Sequence, residues 1–508
     1  YVEGIYVGYR FFETADAEGA FTTRTREIYD NNNEKKTVTG YDAVVQYPFG
    51  YGMSYTDFSW ELVNISLPQD SVIHEDTEIT FEVKVTNTGS YAGKDVVSLY
   101  LTPEYIPGEV EKSQMKLISF EKTGVIAPDQ YEVVTLKAKA RDFASYDCYD
   151  LNHNGKTTYE IDEGEYQLKL CENSHTVKEV SSKGGVHPGI FSYRCESDII
   201  LEKEEKTGTT IDNLFTGKDA IDGVSVDGKE GENASIPYVK RTDFRDYQGP
   251  IKQTSTHDQN TGRKMGEETK KHILFASKTS QDSRKADAFD QASVDAFGNP
   301  THQEPVTFSK PGDLKIYDEN TKELSETGKT LAKNYDDPLW DSLLDQVSLT
   351  EAKNMINNAH PRVSGIPSIG LPTLNNYDGP AQIGSFTSKT LRGTGFPCNA
   401  VLAQTWNKTL AYEQGLSMGS NMESHGLSGY YGTAINMHRS PFAGRNYEYF
   451  SEDPVLTGDL ATMCVKAVRD SGKISFVKHF AVAETETSRD SLYTWLTEQT
   501  LREIYLEP

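Results

Sequence analysis

The chain has 508 residues, a hydrophobic fraction of 36% and a formal net charge of −25. That length has room for two to four domains and ample material for cores. The acidity argues against a nucleic-acid partner, which needs clustered Lys and Arg, and no apolar run approaches the roughly eighteen residues that cross a bilayer.

Residues 1–57 are rich in Tyr, Phe and Gly, and end in Tyr47-Pro-Phe-Gly-Tyr-Gly-Met-Ser-Tyr55. This is too little chain for an independent α/β domain and suits the C-terminal end of one. From Phe58 the pattern turns to period two. Ile79, Phe81, Val83 and Val85 alternate with Thr80, Glu82, Lys84 and Thr86, and runs at Asp95–Leu101, Glu132–Ala138 and Glu165–Leu170 follow. Short alternating strands at this spacing predict an immunoglobulin-like antiparallel β-sandwich over 58–199 with Phe81, Val83, Val85, Val97 and Leu99 inside. Residues 200–335 are polar, poor in aromatics and without sustained period, which reads as a connector.

After Asp337-Pro-Leu-Trp340 the period becomes helical, with Leu343, Leu344, Val347, Ala352 and Met355 on the face of one helix. Strand-like runs at Pro372–Tyr377, Ala434–Met437 and Ile474–Val477 then alternate with helices. One helix has a marked start and stop: Asp453 as N-cap, Pro454 at the first turn, a stripe of Leu456, Leu460, Met463 and Ala467, and Gly472 beyond the end. Strand–helix–strand with short connections predicts a parallel sheet or barrel over 336–508. That is about half the roughly 250 residues of a (β/α)8 barrel. The fold class is therefore multidomain, α/β plus all-β.

Several motifs carry competing readings. The five cysteines, Cys148, Cys171, Cys195, Cys398 and Cys464, lack CxxC spacing and read as buried free thiols rather than zinc ligands. Asp150-x-Asn152-x-Asn154-Gly155 imitates the start of a calcium loop. However, Ile161 holds the twelfth position, Glu160 comes one residue early and no helices flank it, so a β-turn between sandwich strands is the reading. Gly415-Leu-Ser417-Met-Gly419 matches a hydrolase nucleophile pattern, but it falls inside a helical stretch, where its small residues allow close packing. Asn64, Asn233 and Asn407 are glycosylation sequons only if the chain enters a glycosylating compartment. The chain does not begin with Met, so compartment stays open.

Three polar clusters each follow a strand-like run: Asp378-Gly-Pro380, the segment Arg439–Pro454 with Arg445, and Lys478-His479-Phe480. In a parallel barrel such strand ends pool over one pocket. An Asp, an Arg, a Lys and a His there offer hydrogen-bond partners for a polyhydroxylated ligand.

These residues resemble glycoside hydrolase family 3, the family of many β-glucosidases and β-xylosidases. The resemblance rests on Asp378-Gly-Pro, Phe396-Pro, Thr405-Trp-Asn407, Gly444-Arg-Asn-Tyr-Glu448, Ser451-Glu-Asp-Pro454, Lys478-His-Phe480, Arg489 and Arg502-Glu-Ile-Tyr-Leu506, in the family's order. Residues 1–57 look like the end of its α/β-sandwich domain and the following module like its fibronectin type III module, both ahead of the barrel as in permuted members. The resemblance implies a retaining, exo-acting β-glycosidase that releases terminal glucose or xylose from a β-linked oligosaccharide or glycoside and uses neither cofactor nor metal. It assigns Asp378, Arg445, Lys478, His479 and Arg489 to the terminal-sugar subsite. Ala483 stands where many members have Asn, which bears on fine specificity. The family's Asp nucleophile and Glu acid/base match no position here, so the chain reads as a fragment, inactive alone. Glu3, Glu448 and Asp453 fall on structural or supporting positions. A non-catalytic carbohydrate-binding or scaffolding protein is the alternative, and homo-oligomer formation is left open.

Overall fold

In a computed structural model of the chain, the described residues are 2–29, 32–214, 239–244, 310, 312–318, 320–321, 323–358, 362–384, 391–486, 489 and 494–508. Much of the connector expected over 200–335 lies outside them.

The alternating strands form two sheets. Phe58–Ile65, Glu78–Asn87 and Tyr131–Lys139 pair antiparallel in one sheet, which Glu179–Ser182 and Gly185–Pro188 extend. Val96–Thr102, Lys116–Lys122, Gly164–Cys171 and Ile190–Cys195 form the other. Strand Glu78–Asn87 alternates between buried positions and more exposed ones along its whole length. Phe81, Val83, Val85, Val97 and Leu99 are all fully buried and share one core, as the period-two pattern predicts. The Phe81 ring meets Phe191 of the opposite sheet edge-on, with centroids 5.2 Å apart. Phe81→Ala should therefore cost about 3–5 kcal/mol, the usual toll for emptying a packed aromatic site. Chemical denaturation measures it, and a loss below about 1 kcal/mol would mean that the two sheets do not close on this ring.

A second core joins the sandwich to what precedes and follows it. Tyr9 stacks on Phe49 at 4.6 Å, Phe49 meets Trp406 at 5.2 Å, and Trp406 meets Phe120 of the sandwich edge-on at 5.0 Å. Leu402, Leu456 and Leu460 belong to the same cluster. Polar groups lock this junction. Tyr9 Oη donates to Asp453 Oδ2 at 2.8 Å, and the buried Arg10 guanidinium lies 3.7 Å from the same carboxylate. Val2–Glu3 also pairs in parallel with Trp495–Leu496.

The helical C-terminal part holds a short parallel sheet. Leu374–Asp378 pairs with Gly429–Tyr431, which pairs with Ile474–Ser475. The middle strand is not the expected run Ala434–Met437, which contributes only a parallel bridge between Ala434 and Lys478. Helix Lys408–Ser424 packs on helix Pro454–Asp470. A Cβ on Gly415 would sit 2.5 Å from the Cys464 carbonyl oxygen, so the Gly415–Gly419 pattern serves helix contact. Asp453 caps its helix as expected, Oδ1 accepting from the Leu456 amide at 2.9 Å, and Gly472 follows the helix end at φ +72°.

The single helix expected through Leu343–Met355 is instead two, Leu339–Leu344 and Leu349–Asn357. Ser348 and Glu351 form a reciprocal capping box that restarts the chain, leaving Leu344 52% and Met355 38% exposed. The cysteines are free, and all but the half-buried Cys398 are buried. Among the described residues no helix is long and apolar enough to cross a membrane.

Candidate functional site

Asp378 is the last residue of the first parallel strand and lies opposite Tyr431 on its neighbour. The chain then turns at Gly379, φ +130°, where a Cβ would come within 1.7 Å of the Gln382 carbonyl oxygen, so only glycine fits. Lys478 lies three residues beyond the third strand. Its amide donates to the Thr433 carbonyl at 3.0 Å, and its carbonyl accepts from the Ile435 amide at 2.8 Å. The middle strand Gly429–Tyr431 separates the first strand from the third, so these two residues, a hundred positions apart, meet across its end. Lys478 Nζ donates to Asp378 Oδ1 at 2.8 Å.

Arg445 and Glu448 come from the loop ahead of the capped helix, where a short 3-10 turn spans Asn446–Glu448. Glu448, 2% exposed, bridges the cations: Oε1 pairs with Arg445 Nε, and Oε2 lies 3.4 Å from Lys478 Nζ. Arg445 also reaches His479, with Nη2 to Nε2 at 2.6 Å. A guanidinium can only donate, so His479 Nε2 accepts and the ring proton sits on Nδ1, 3.1 Å from Asn436 Oδ1. Asn436 in turn donates to Glu484 at 3.1 Å, and the Tyr449 ring meets the imidazole edge-on.

Asp378, Arg445, Lys478 and His479 thus form one connected network. Arg489 is linked to it through Glu486. It is exposed and pairs with Glu486 at 3.2 Å, and Glu486 lies 3.6 Å from Arg445. Sequence reasoning missed Asn436, Glu484 and Glu486. Only the position of Asn436, within an apolar run leading to a bridge with Lys478, carried a signal. Among the described residues no group of three His, Cys, Asp or Glu side chains is placed to hold a metal ion.

Burial, then the positive charges of Arg445 and Lys478, hold His479 down at about 4, below its ordinary 6.5. Between those values the unfolded chain binds a proton that the folded chain refuses, so stability falls as pH drops through the window and is fully present above it. The melting temperature should decline from pH 6.5 toward 4, and His479→Gln should flatten that limb. Parallel melting curves against pH for the two proteins would show that His479 is not held neutral by folding.

Residues 331–508 match the family described as glycosyl hydrolase family 3 N terminal domain. By this match the region belongs to glycosyl hydrolase family 3. The chain as a whole is related to β-glucosidases. It is 27% identical over 515 residues to β-glucosidase A of Butyrivibrio fibrisolvens, covering 100% of this chain and 52% of that protein. It is 26% identical over 507 residues to a β-glucosidase of Ruminococcus albus, covering 100% of this chain and 42% of that one. The fold resembles the crystal structure of a β-glucosidase from Paenibacillus barengoltzii, with a TM-score of 0.61 at 23% identity, over 99% of this chain and 45% of the other. The chain therefore spans about half the length of these relatives.

Proposed function

We propose that the complete protein is a retaining, exo-acting β-glycosidase that releases terminal β-D-glucose, or xylose, from non-reducing ends, and that residues 1–508 supply groups that hold the terminal sugar. Asp378, Arg445, Lys478 and His479 are the substrate-contacting residues, with Arg489 acting from the rim through Glu486. The observation that carries this reading is the Lys478–Asp378 bond, which ties two strand ends inside a network of alternating charge. A sugar hydroxyl both donates and accepts, and a paired carboxylate and ammonium can take either role. Neither metal nor organic cofactor is needed for that chemistry.

The hydrolytic carboxylate pair comes from outside these residues. Asp378, Glu448 and Glu486 are each engaged by Lys478, Arg445 or Arg489. In this reading residues 1–57 end an α/β-sandwich domain, 58–199 form a fibronectin type III-like module, 200–335 connect, and 336–508 begin a (β/α) barrel. The test is to assay the complete protein on aryl β-glucoside and aryl β-xyloside while following the anomer by NMR. Glucose released first as the β-anomer is the expected result. Hexose binding without turnover of either glycoside would make it a carbohydrate-binding protein instead.

A further inference from the structure

One sequence motif is not absorbed by the glycosidase reading. Strands Ser145–Tyr146 and Tyr159–Ile161 pair antiparallel, and the loop between them carries Asp150-x-Asn152-x-Asn154-Gly155. Calcium loops place oxygen ligands at positions one, three and five, glycine at six and a carboxylate at twelve. Ile161 at the twelfth position made the sequence read as a plain turn. The fold changes that reading. Ile161 packs in the sandwich core at 0% exposure, and successive residues of a strand face opposite ways. Glu160 therefore turns its carboxylate into the loop.

There Glu160 Oε2 accepts from Asn152 Nδ2 at 2.6 Å and from Asn154 Nδ2 at 2.7 Å. Glu160 is 1% exposed, yet its Oε1 has no hydrogen-bond partner. A buried carboxylate oxygen left unpaired is costly and calls for an explanation. The rest of the loop is closed by bonds from its own backbone amides to its side chains. Asp150 Oδ1 accepts from the Gly155 amide at 2.9 Å and Asn154 Oδ1 from the Lys156 amide at 2.8 Å, while Asp150, His153 and Gly155 adopt positive φ. Neighbouring charge is negative. Asp147 and Asp162 both act on Glu160, Lys112 is committed to Asp162, and Lys156 pairs with Glu202.

We propose that this loop binds a calcium ion, with side-chain oxygens from Asp150, Asn152, Asn154 and Glu160 and the main-chain carbonyl of residue 156 as ligands. The two amide N–H donors now supply to Glu160 the positive charge density that the cation would provide. An all-oxygen set drawn from an irregular loop suits calcium rather than magnesium, which demands near-ideal octahedral geometry and keeps its waters. Two carboxylates are few, so the affinity belongs to the weak class, with a dissociation constant of about 10⁻⁴ M. The ion would be structural. The strand at the loop's base docks on the family 3 region: the Tyr146 amide donates to Glu503 at 2.7 Å, and the Arg502 guanidinium lies 4.5 Å from the Tyr146 ring centroid. Calcium would brace the hairpin that makes this contact.

The test uses the full chain, stripped with EDTA and titrated with calcium chloride by calorimetry. Terbium luminescence sensitised by the adjacent Tyr149 and Tyr159 serves as a local probe. Expected are one site per chain and a rise in melting temperature of roughly 5 °C at saturation, both lost in Glu160→Gln. Asn154→Asp adds a ligand charge and should tighten binding about tenfold; it decides the matter if Glu160→Gln fails to fold. No binding by the folded wild type up to about 10 mM calcium, an equal thermal shift in Glu160→Gln, or an unchanged affinity in Asn154→Asp would each overturn the proposal.

Discussion

Asp378→Ala in the complete protein should lower kcat/KM on an aryl β-glucoside by roughly 30- to 1000-fold, or about 2–4 kcal/mol of transition-state stabilisation. Asp378 Oδ1 holds both Lys478 Nζ and the Gly379 amide, at 2.8 and 2.9 Å. Removing the carboxylate takes away an acceptor for sugar hydroxyls and lets Lys478 fall back on Glu448, 3.4 Å away. The fold should survive, because the Asp378 side chain is 36% exposed and Lys478 keeps its second partner. An unchanged melting temperature alongside the kinetic loss would separate a substrate contact from a structural one. A loss below about threefold would remove Asp378 from the site.

Residues 1–508 assayed alone should show less than about a thousandth of the complete protein's turnover. Retaining hydrolysis needs two carboxyl groups about 5 Å apart across the scissile bond, one of them free to attack the sugar. Glu448 is clamped between Arg445 and Lys478, and Glu486 lies between Arg445 and Arg489. Asp378 is bound to Lys478. A carboxylate so engaged positions cations better than it attacks carbon. Turnover by residues 1–508 within about tenfold of the complete protein would mean that these local carboxylates suffice.

The sandwich was legible because its strands are long and half-buried, so burial imprints period two on Glu78–Asn87. The parallel sheet was harder. Gly429–Tyr431 is three residues with no period to read, whereas the apolar run Ala434–Met437 imitates a strand and supplies one bridge. The split at Ser348 is encoded by the capping-box sequence Ser348-Leu-Thr-Glu351, but the apolar spacing runs on across it and masks the break. At the site, Asp378 and Lys478 announced themselves at the ends of strand-like runs. The bridging of Arg445 and Lys478 by Glu448, and the hold of Asn436 on His479, depend on how separate loops meet in space. No local pattern encodes that. Glu160 is the converse case: the motif was visible, and only the strand's facing decides which carboxylate enters the loop.

The most direct measurement is a crystal structure of the complete protein soaked with glucose. One hexose should have hydroxyl oxygens within about 3.2 Å of Asp378, Lys478, His479 and Arg445. A hexose bound instead in the aromatic cleft of about 700 Å3 beside Tyr51 and Trp406, with no sugar at Asp378 and Lys478, would contradict the assignment of these residues to the sugar site.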